Sequence, residues 1–304
     1  MTADIIAGPA IILWGGQSLY SQGDITVKKV QTSWNPSSSI FGTIGKRSSG
    51  HYYEISFTPV GVLSAAQLAV LYPFTAASTG TNIYTAANVP LVIWSAAGKK
   101  YTFTRAGLAK CPSIRLSANA TALGEVTFYA AIGLSKAYGD ADAFVAITSV
   151  AFSDATFATT NISSPGYTAT WNTYSAMESE AGFTIDIGMS VSPLSVDRLG
   201  IFAHKITGFE VACRFKPLDQ TEANYLLLAD LNGAAVKPGQ AFGVGSYDLT
   251  ISGTGVSCVI PAVGPGEAGL AFGNAVAQPG EITFHSTQEF AVGVPSALIT
   301  WTIS

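Results

Sequence analysis

Three histidines, His51, His204 and His285, are the side chains in this sequence best suited to acid–base or metal chemistry. None of them has another histidine, cysteine or carboxylate at the spacing of a metal site. The sequence contains no Gly-x-Ser-x-Gly motif, and positions alone indicate no Ser-His-Asp arrangement. Because acid–base catalysis needs such groups close together, we expect no enzyme activity, no catalytic residue, no metal site and no cofactor.

Two short segments match binding motifs only in part. Residues 42–46 (GTIGK) are too short for a phosphate-binding Gly-x4-Gly-Lys-Ser/Thr loop, and Arg47 follows the lysine. Asp140 and Asp142 lack the glycine and glutamate of an EF-hand loop. We interpret the first segment as a structural loop and the second as a turn between strands. The tract 264–273 (GPGEAGLAFG) also predicts a loop, because Gly-Pro pairs mark turns.

The composition points to an assembled protein. Charged residues make up 11% of the 304 residues and hydrophobic residues 48%, yet no apolar run is long enough for a membrane-spanning helix. So few charges predict that much of the surface lies against partner subunits. Cys111, Cys213 and Cys258 are an odd number without close spacing, which indicates free thiols in a reducing compartment. Residues 1–4 begin no pattern typical of a signal peptide, and we expect none.

The strongest pattern in the chain is an internal repeat. Residues 25–59 align without a gap with residues 183–217, at an offset of 158. The aligned basic positions are Lys46 and Arg47 in the first stretch and His204 and Lys205 in the second. The identical pairs are Thr26/Thr184, Ser37/Ser195, Gly42/Gly200, Gly50/Gly208, Phe57/Phe215 and Pro59/Pro217.

Two further matches extend the repeat. Residues 119–128 (NATALGEVTF) match residues 274–284 (NAVAQPGEITF) if one residue is inserted within Gln278-Pro279. More weakly, Ala146-Ile-Thr matches Leu298-Ile-Thr. Because the three matches keep one order, we predict that residues 1–150 and 151–304 are two diverged copies of one unit.

Each half is predicted to be rich in strands. The best core strands are His51–Phe57 and Phe209–Phe215, in which alternate residues are apolar. Each follows a strand, Ile25–Val30 or Phe183–Ile187, after a connection of some fifteen residues rich in Ser, Pro and Gly. Connections of that length are often functional.

A helix is predicted after the core strand in each half. Ser64-x-x-Gln67 and Asp219-x-x-Glu222 both fit an N-terminal capping box, and β-type segments return after each helix. We therefore predict a mainly β fold of two tandem β-sandwich or β-barrel units, each with one short flanking α-helix.

One order of elements recurs over nearly all of both halves and is clearest in the first. It consists of the strand ITVKKV, a long loop ending at Gly50, the strand HYYEISF, the helix SAAQLAVLY, the hairpin PLVIWSAAGKKYTFT and a closing strand in GEVTFYA. This order resembles the tail tube proteins of long-tailed bacteriophages. The resemblance implies a β-barrel unit with one flanking helix, six of which form a ring, and rings that stack into a tube through which DNA passes.

Since most such proteins carry one unit per chain, the resemblance implies a trimeric ring with pseudo-sixfold symmetry here. It further implies a virion protein of the tail, assembled in the host cytoplasm, that contacts other tail proteins at the tube ends and passing DNA without specific binding, with no membrane partner. The long loop after the second strand would help to join stacked rings. The candidate ring-stacking residues are Trp34, Asn35, Pro36, Phe41, Lys46, Arg47, Pro193, Arg198, His204 and Lys205.

The two halves carry opposite charge. Residues 1–150 contain 10 Lys and Arg against 6 Asp and Glu, and residues 151–304 contain 5 against 13. Net charges of +4 and −8 would favour alternation of the halves around a ring, although drift of surface charge after a duplication explains the difference equally well. A pI near 5.3 does not favour tight non-specific DNA binding, which needs a basic patch.

Two other functions fit the sequence less well. A different β-rich virion component, such as a fibre, a decoration protein or a carbohydrate-binding module, would use the Tyr and Trp residues and the Gly-, Ser- and Thr-rich loops. A hydrolase on a β-scaffold is the weakest alternative, because histidines and charged residues are scarce.

Overall fold

The fold is mainly β, as the sequence predicts. Twenty-one strands and one α-helix lie within the part of the chain that can be described. The predicted second-half helix after Asp219, the Asp140–Asp142 turn and Arg198 lie outside it. The computed structural model of the chain describes residues 9–61, 64–84, 90–118, 120–131, 145–153, 164, 166–172, 174–196, 200–218, 247–272, 277–286 and 297–303.

The first half forms two main antiparallel sheets. Its strands are β1 (Ala10–Trp14), β2 (Gln17–Tyr20), β3 (Thr26–Trp34), β4 (Ser37–Ser38), β5 (Gly42–Thr43), β6 (Arg47–Phe57), β7 (Leu91–Ser95), β8 (Lys99–Phe103), β9 (Ala106–Lys110), β10 (Ile114–Ser117), β11 (Ala120–Leu123), β12 (Val126–Ala130) and β13 (Val145–Ser149). One sheet has the order β13-β8-β7-β1-β2 and the other β3-β6-β12-β9, while β4 and β5 pair with each other.

The helix α1 (Ala65–Leu71) follows the core strand β6 of the first half, as predicted. Ser64 and Gln67 form the reciprocal capping box, in which each side chain accepts a hydrogen bond from the other residue's backbone N–H. Leu68 and Leu71 are fully buried. Nε1 of Trp14 donates to the Val70 carbonyl at 3.2 Å, which fixes the helix against β1.

The second half contains eight strands within the described residues. They are β14 (Thr168–Trp171), β15 (Tyr174–Glu178), β16 (Phe183–Val196), β17 (Gly200–Phe215), β18 (Tyr247–Gly253), β19 (Val256–Phe272), β20 (Ala277–Ser286) and β21 (Thr300–Ile303). The long strand β19 pairs with β18 and β21 near its start and with β20 along its later part.

The order of strands is the same in the two halves. The order β13-β8-β7-β1-β2 is matched by β21-β19-β18-β14-β15, and β3-β6-β12-β9 is matched by β16-β17-β20-β19. In the second half the long strand β19 takes the places of β8, β9 and β10.

Backbone hydrogen bonds repeat at the offset found in the sequence. The Gln22 N–H donates to the Thr58 carbonyl at 2.8 Å. The Glu180 N–H, 158 residues later, donates to the Lys216 carbonyl at 2.9 Å. A cross-strand pairing at the same offset therefore joins the corresponding elements in each half.

The long hairpins β3–β6 and β16–β17 carry a bulge at the same place. The register shifts directly after Thr32, which is paired with Gly50. It shifts again directly after Ser190, which is paired with Gly208. Since a bulge bends a strand and increases its twist, the two hairpins are bent at equivalent positions.

Aromatic contacts in the core also repeat. The ring centroids of Trp14 and Phe128 lie 4.9 Å apart with planes at 64°, and those of Trp171 and Phe284 lie 5.2 Å apart at 63°. In the first half this edge-to-face contact joins the two sheets, and in the second half it joins strands from two parts of one sheet that share β19. Stacked pairs match as well, Phe57 with Phe128 at 6.2 Å and Phe215 with Phe284 at 5.9 Å.

The predicted loop at 264–273 is wrong over residues 264–272, which belong to β19. Gly264 and Pro265 pair with His285 and Phe284, and the register shifts between Pro265 and Glu267. A bulge accommodates a proline, which cannot donate to the ladder, so Gly-Pro marks a bulge here and not a turn.

The connection of some fifteen residues is much shorter in the second half than predicted. Strand pairing continues along the hairpin to Val196 opposite Gly200, which leaves three residues between the strands. In the first half, the ladder pairs Trp34 with Arg47 and leaves twelve residues between them. These twelve residues include the small hairpin β4–β5, whose pairs are Ser37 with Thr43 and Ser38 with Gly42.

Two details of the predicted alignment are also wrong. Leu116 pairs with Thr121, and Phe272 pairs with Ala277, each 156 residues further along the chain. Phe284 also lies 156 residues after Phe128. Because the offset is the same before and after Gln278-Pro279, no residue is inserted there. Ile147 on β13 pairs with Tyr101 as Trp301 on β21 pairs with Cys258. The third match should therefore pair Ile147 with Trp301, two residues beyond the expected partner.

Candidate assembly surfaces

The first half donates a β-hairpin to a sheet of the second half. Strand β10 pairs with β11 and, on its other side, with β16. Ile114 lies opposite Ile185, and Leu116 lies opposite Phe183. All four side chains are at most 1% exposed, so the edge of β16 and the core beneath it are covered by the first half.

Arg115 holds the same junction from outside the core. It lies opposite Thr184 in the ladder. Its Nη2 and Nε donate to the Ala181 carbonyl at 2.9 Å and 3.3 Å. The strand that crosses between the halves thus alternates two apolar residues facing inward with one polar residue facing outward.

Glycines let the two backbones approach at a second point of the junction. A Cβ on Gly50 would lie 2.7 Å from the Ile201 backbone nitrogen and 3.1 Å from Gly200 Cα. A Cβ on Gly200 would lie 2.7 Å from Gly50 Cα. Because real Cβ atoms do not approach backbone atoms this closely, both positions require glycine.

A buried aromatic cluster lies beside this glycine contact. His204 of the second half is 1% exposed. Its ring lies 4.7 Å from Tyr52, 4.8 Å from Tyr129 and 5.8 Å from Tyr84, measured between centroids. The Tyr84 hydroxyl is 2.7 Å from its Nδ1, so three tyrosines of the first half enclose one histidine of the second.

Burial sets the protonation state of this cluster. Desolvation, reinforced by the positive charge of Arg105, lowers the pKa of His204 to about 4. Desolvation, with smaller contributions from Tyr129 and Glu54, raises the pKa of Tyr52 to about 12. It also raises the pKa of Tyr84. The cluster is therefore neutral near pH 7 and suits packing rather than proton transfer.

Arg105 ties the cluster to the second half through the backbone. Its Nη1 donates to the Phe202 carbonyl at 2.6 Å. Its guanidinium carbon lies 4.8 Å from the centre of the Tyr84 ring, a cation–π geometry. Burial lowers the pKa of Arg105, although an arginine remains charged in proteins.

The equivalent sheet edge in the first half is exposed. Strand β3 is the end strand of its sheet, with β6 as its neighbour among the described strands. Val27 is 45% exposed, whereas Ile185 at the equivalent position is fully buried. Long, exposed edge strands with apolar residues invite pairing with another strand.

An apolar cavity of about 890 Å³ opens beside this edge. The cavity lies between β3 and the other sheet of the first half. The equivalent position in the second half is covered by β10. Its apolar lining includes Ala10, Ile25, Val27, Ile93, Phe103 and Ile147.

The long loop of the first half is exposed, whereas in the second half Gly200, Ile201 and His204 pack on the first half. Trp34 is 54% and Phe41 79% exposed, and Asn35, Lys46 and Arg47 are also exposed while Pro36 is half-buried. Ile40 and Ile44, which the sequence did not single out, are 80% and 63% exposed.

The candidate ring-stacking residues of the second half differ in their exposure to solvent. Pro193 and Lys205 are exposed, but His204 is buried at the junction between the halves and is not a free contact residue. The sequence signal for His204 was its alignment with the basic residue Lys46. Sequence reasoning missed Tyr52 and Tyr129, although the adjacent tyrosines of HYYEISF placed an aromatic ring on each face of β6.

No group of three or more His, Cys, Asp or Glu side chains that could hold a metal occurs in the described part of the chain. Among the helices described, none is both long and apolar enough to cross a bilayer. No protein-family model matches the sequence, and a comparison with curated proteins gives no match.

Proposed function

We propose that this chain is a structural subunit of the tail tube of a long-tailed bacteriophage, without enzymatic activity. The observation that carries the proposal is the edge-to-edge junction between two halves of the same strand order. The first half covers the β16 edge of the second through β10, while no described strand pairs with the outer edge of β3. A unit that offers a strand on one side and an open strand edge on the other can join further copies head to tail.

Head-to-tail contacts close into a ring when the rotation between units allows it. Two units per chain and six per ring give a trimer with pseudo-sixfold symmetry. Stacking of such rings gives a tube, and the exposed loop with Trp34, Phe41 and Arg47 extends from the first half for contacts of that kind.

The charges of the two halves suit this arrangement. The first half carries +4 and the second −8. In a closed trimer each first half lies between two second halves, so every lateral contact joins opposite net charges. Opposite charges favour this order over contacts between like halves.

The proposed location is the tail of the virion, after assembly in the host cytoplasm. The tube passes DNA without binding a specific sequence, and other tail proteins contact its ends. The low pI of about 5.3 fits a lumen that does not hold phosphate groups.

Negative-stain microscopy of the purified chain, with light scattering for its mass, tests the proposal. The expected result is rings or tubes whose end views show sixfold features, and a mass three times that of the chain or a multiple of it. A monomeric mass without rings or tubes at all concentrations and salt conditions would reject the proposal.

A second β-rich virion role is favoured by one observation. Trp34 and Tyr247 are 54% and 44% exposed, and exposed aromatic rings stack on sugars in carbohydrate-binding modules. A fibre, decoration or carbohydrate-binding protein would show specific binding on a glycan array and no tube.

A further inference from the structure

We infer that the second half of one chain docks on the first half of a second copy, through the same contacts that join the halves within a chain. The inference deepens the proposed function and rests on it for closure into a ring. Four features of the junction within the chain have counterparts that are free to form between two chains: a strand pairing, a filled cavity, a glycine contact and a side-chain contact. In each case the second half of one chain would supply the donating residues, and the first half of the other chain would supply the accepting residues.

The donating strand is the end of β19. Leu270 pairs with Pro279 and Phe272 with Ala277, as Ile114 pairs with Leu123 and Leu116 with Thr121. Leu270, Ala271 and Phe272 thus take the register positions of Ile114, Arg115 and Leu116. The apolar residues recur at the two positions that face the core in the junction within the chain.

The accepting edge is the start of β3. Phe183, Thr184 and Ile185, which pair with β10, correspond to Ile25, Thr26 and Val27 at the 158-residue offset. The expected interchain pairs are Phe272 with Ile25, Ala271 with Thr26, and Leu270 with Val27. Two of the three bring apolar residues together.

The cavity beside β3 is the space that the donated strand would fill. Ile25 and Val27 line it. At the equivalent place in the second half, Leu116 and Ile114 from β10 are buried against Phe183 and Ile185, so the same core is closed there. An incoming strand with Leu270 and Phe272 closes the first half in the same way.

Two glycines support the docking independently of the sheet edge. Gly208 and Gly42 correspond to Gly50 and Gly200, the pair whose backbones meet within the chain. Among the described residues, no atom lies within 4 Å of a Cβ added to Gly208 or to Gly42. The described part of the chain gives Gly208 no steric reason to be glycine, whereas contact with Gly42 of a second copy supplies one.

The fourth feature is a pair of opposite charges, Glu210 in the second half and Lys46 in the first. Glu210 and His285 occupy the positions of Tyr52 and Tyr129 and lie 3.6 Å apart, between the Glu210 carboxylate and Nδ1 of His285. Lys46 occupies the position of His204. In a docked pair, Lys46 of one copy therefore faces Glu210 of the other, and the side chain of Glu210 is 73% exposed in the single chain.

Disulfide trapping between two variants, each with one introduced cysteine, tests the docking. Chains with Thr26→Cys and chains with Ala271→Cys are purified separately, mixed and oxidised, and then separated on a non-reducing gel. Cross-strand neighbours in antiparallel sheets are about 4.5–5.5 Å apart at Cα, within the range that disulfides span. The native thiols are buried, and burial raises the pKa of Cys111 to about 12, so they do not compete.

The expected result is a disulfide-linked dimer from the mixture and none from either variant alone. The variant with both Arg115→Cys and Thr184→Cys is the matched control. It should form the equivalent disulfide inside one chain, stay monomeric on the gel and show that such a pair is oxidised in this register.

The outcomes separate the docking from the tail tube function. Rings without the mixed disulfide would overturn the docking and leave the tube standing. A mixed disulfide without rings or tubes would support the docking and reject the tube. If the control disulfide forms but neither the mixed disulfide nor rings appear, both are rejected.

Discussion

The Tyr84 hydroxyl lies 2.7 Å from Nδ1 of His204, and this contact joins the two halves inside a buried cluster. The rings of Tyr52 and Tyr129 pack on the same imidazole. Within the described residues, no group hydrogen-bonds the other ring nitrogen, Nε2, which is also buried. A proton on this histidine would therefore add a charge that the cluster does not compensate.

Stability should consequently fall in mild acid. The pKa of His204 is about 4 in the fold against an ordinary value of 6.5. Between these values the unfolded chain takes up a proton that the folded chain refuses, so the free energy of unfolding decreases as the pH falls from 6.5 to about 4. The full difference corresponds to about 3 kcal/mol, and above pH 6.5 this group adds no pH dependence.

Chemical denaturation of the wild type and of His204→Gln at pH 7.5 and pH 4.5 checks this. The glutamine variant should lose less stability between the two pH values than the wild type. His285→Gln, which removes an imidazole outside the cluster, is the control. Equal losses for wild type and His204→Gln would contradict the assignment.

Phe128 and Phe284 should be equally important to the fold. Each is fully buried, meets a tryptophan edge-to-face and stacks on a phenylalanine of the neighbouring strand. Replacement of either by alanine should cost about 3–5 kcal/mol. Urea unfolding measures both losses, and values that differ by more than about 2 kcal/mol would argue against equivalent roles.

Gly208→Ala should block assembly and leave the chain folded. An added Cβ meets no atom of the described residues within 4 Å, so the free energy of unfolding should stay within about 0.5 kcal/mol of the wild type. In the docked pair it would meet backbone, as at Gly50. Gly166→Ala is the matched control, because a Cβ there also meets no atom of the part of the chain that the structure describes within 4 Å. Sedimentation velocity compares the two, and normal assembly of Gly208→Ala would contradict the docking.

A charge swap should test the contact between Lys46 and Glu210. Lys46→Glu or Glu210→Lys alone places like charges together and should raise the concentration needed for half-assembly by about fivefold. The double variant restores opposite charges and should recover most of this loss. Light scattering as a function of concentration measures all three, and additive losses in the double variant would show that the two residues do not meet.

Much of the fold was predictable because local patterns carry it. The alternation in HYYEISF defined β6, and Ser64 with Gln67 defined the start of α1. The 158-residue offset anticipated the shared register of the two long hairpins. These features depend on neighbours along the chain or on repetition, and both are visible in one sequence.

The junction between the halves could not be predicted because it depends on long-range contacts. Nothing near Ile114 or Leu116 indicates that their partners are Ile185 and Phe183. The strand character of residues 264–272 was hidden by Gly-Pro, which suits a bulge as well as a turn. The alignment with Lys46 identifies His204 as a basic position, but its burial by Tyr52 and Tyr84 depends on contacts that only the fold creates.

The pairing of β10 with β16 has a consequence for mass action. Because both strands belong to one polypeptide, this junction forms as an intramolecular step whose effective concentration does not change on dilution. In a ring of three chains, half of the lateral junctions would be of this kind. Only the other half would then set the threshold concentration below which the ring falls apart.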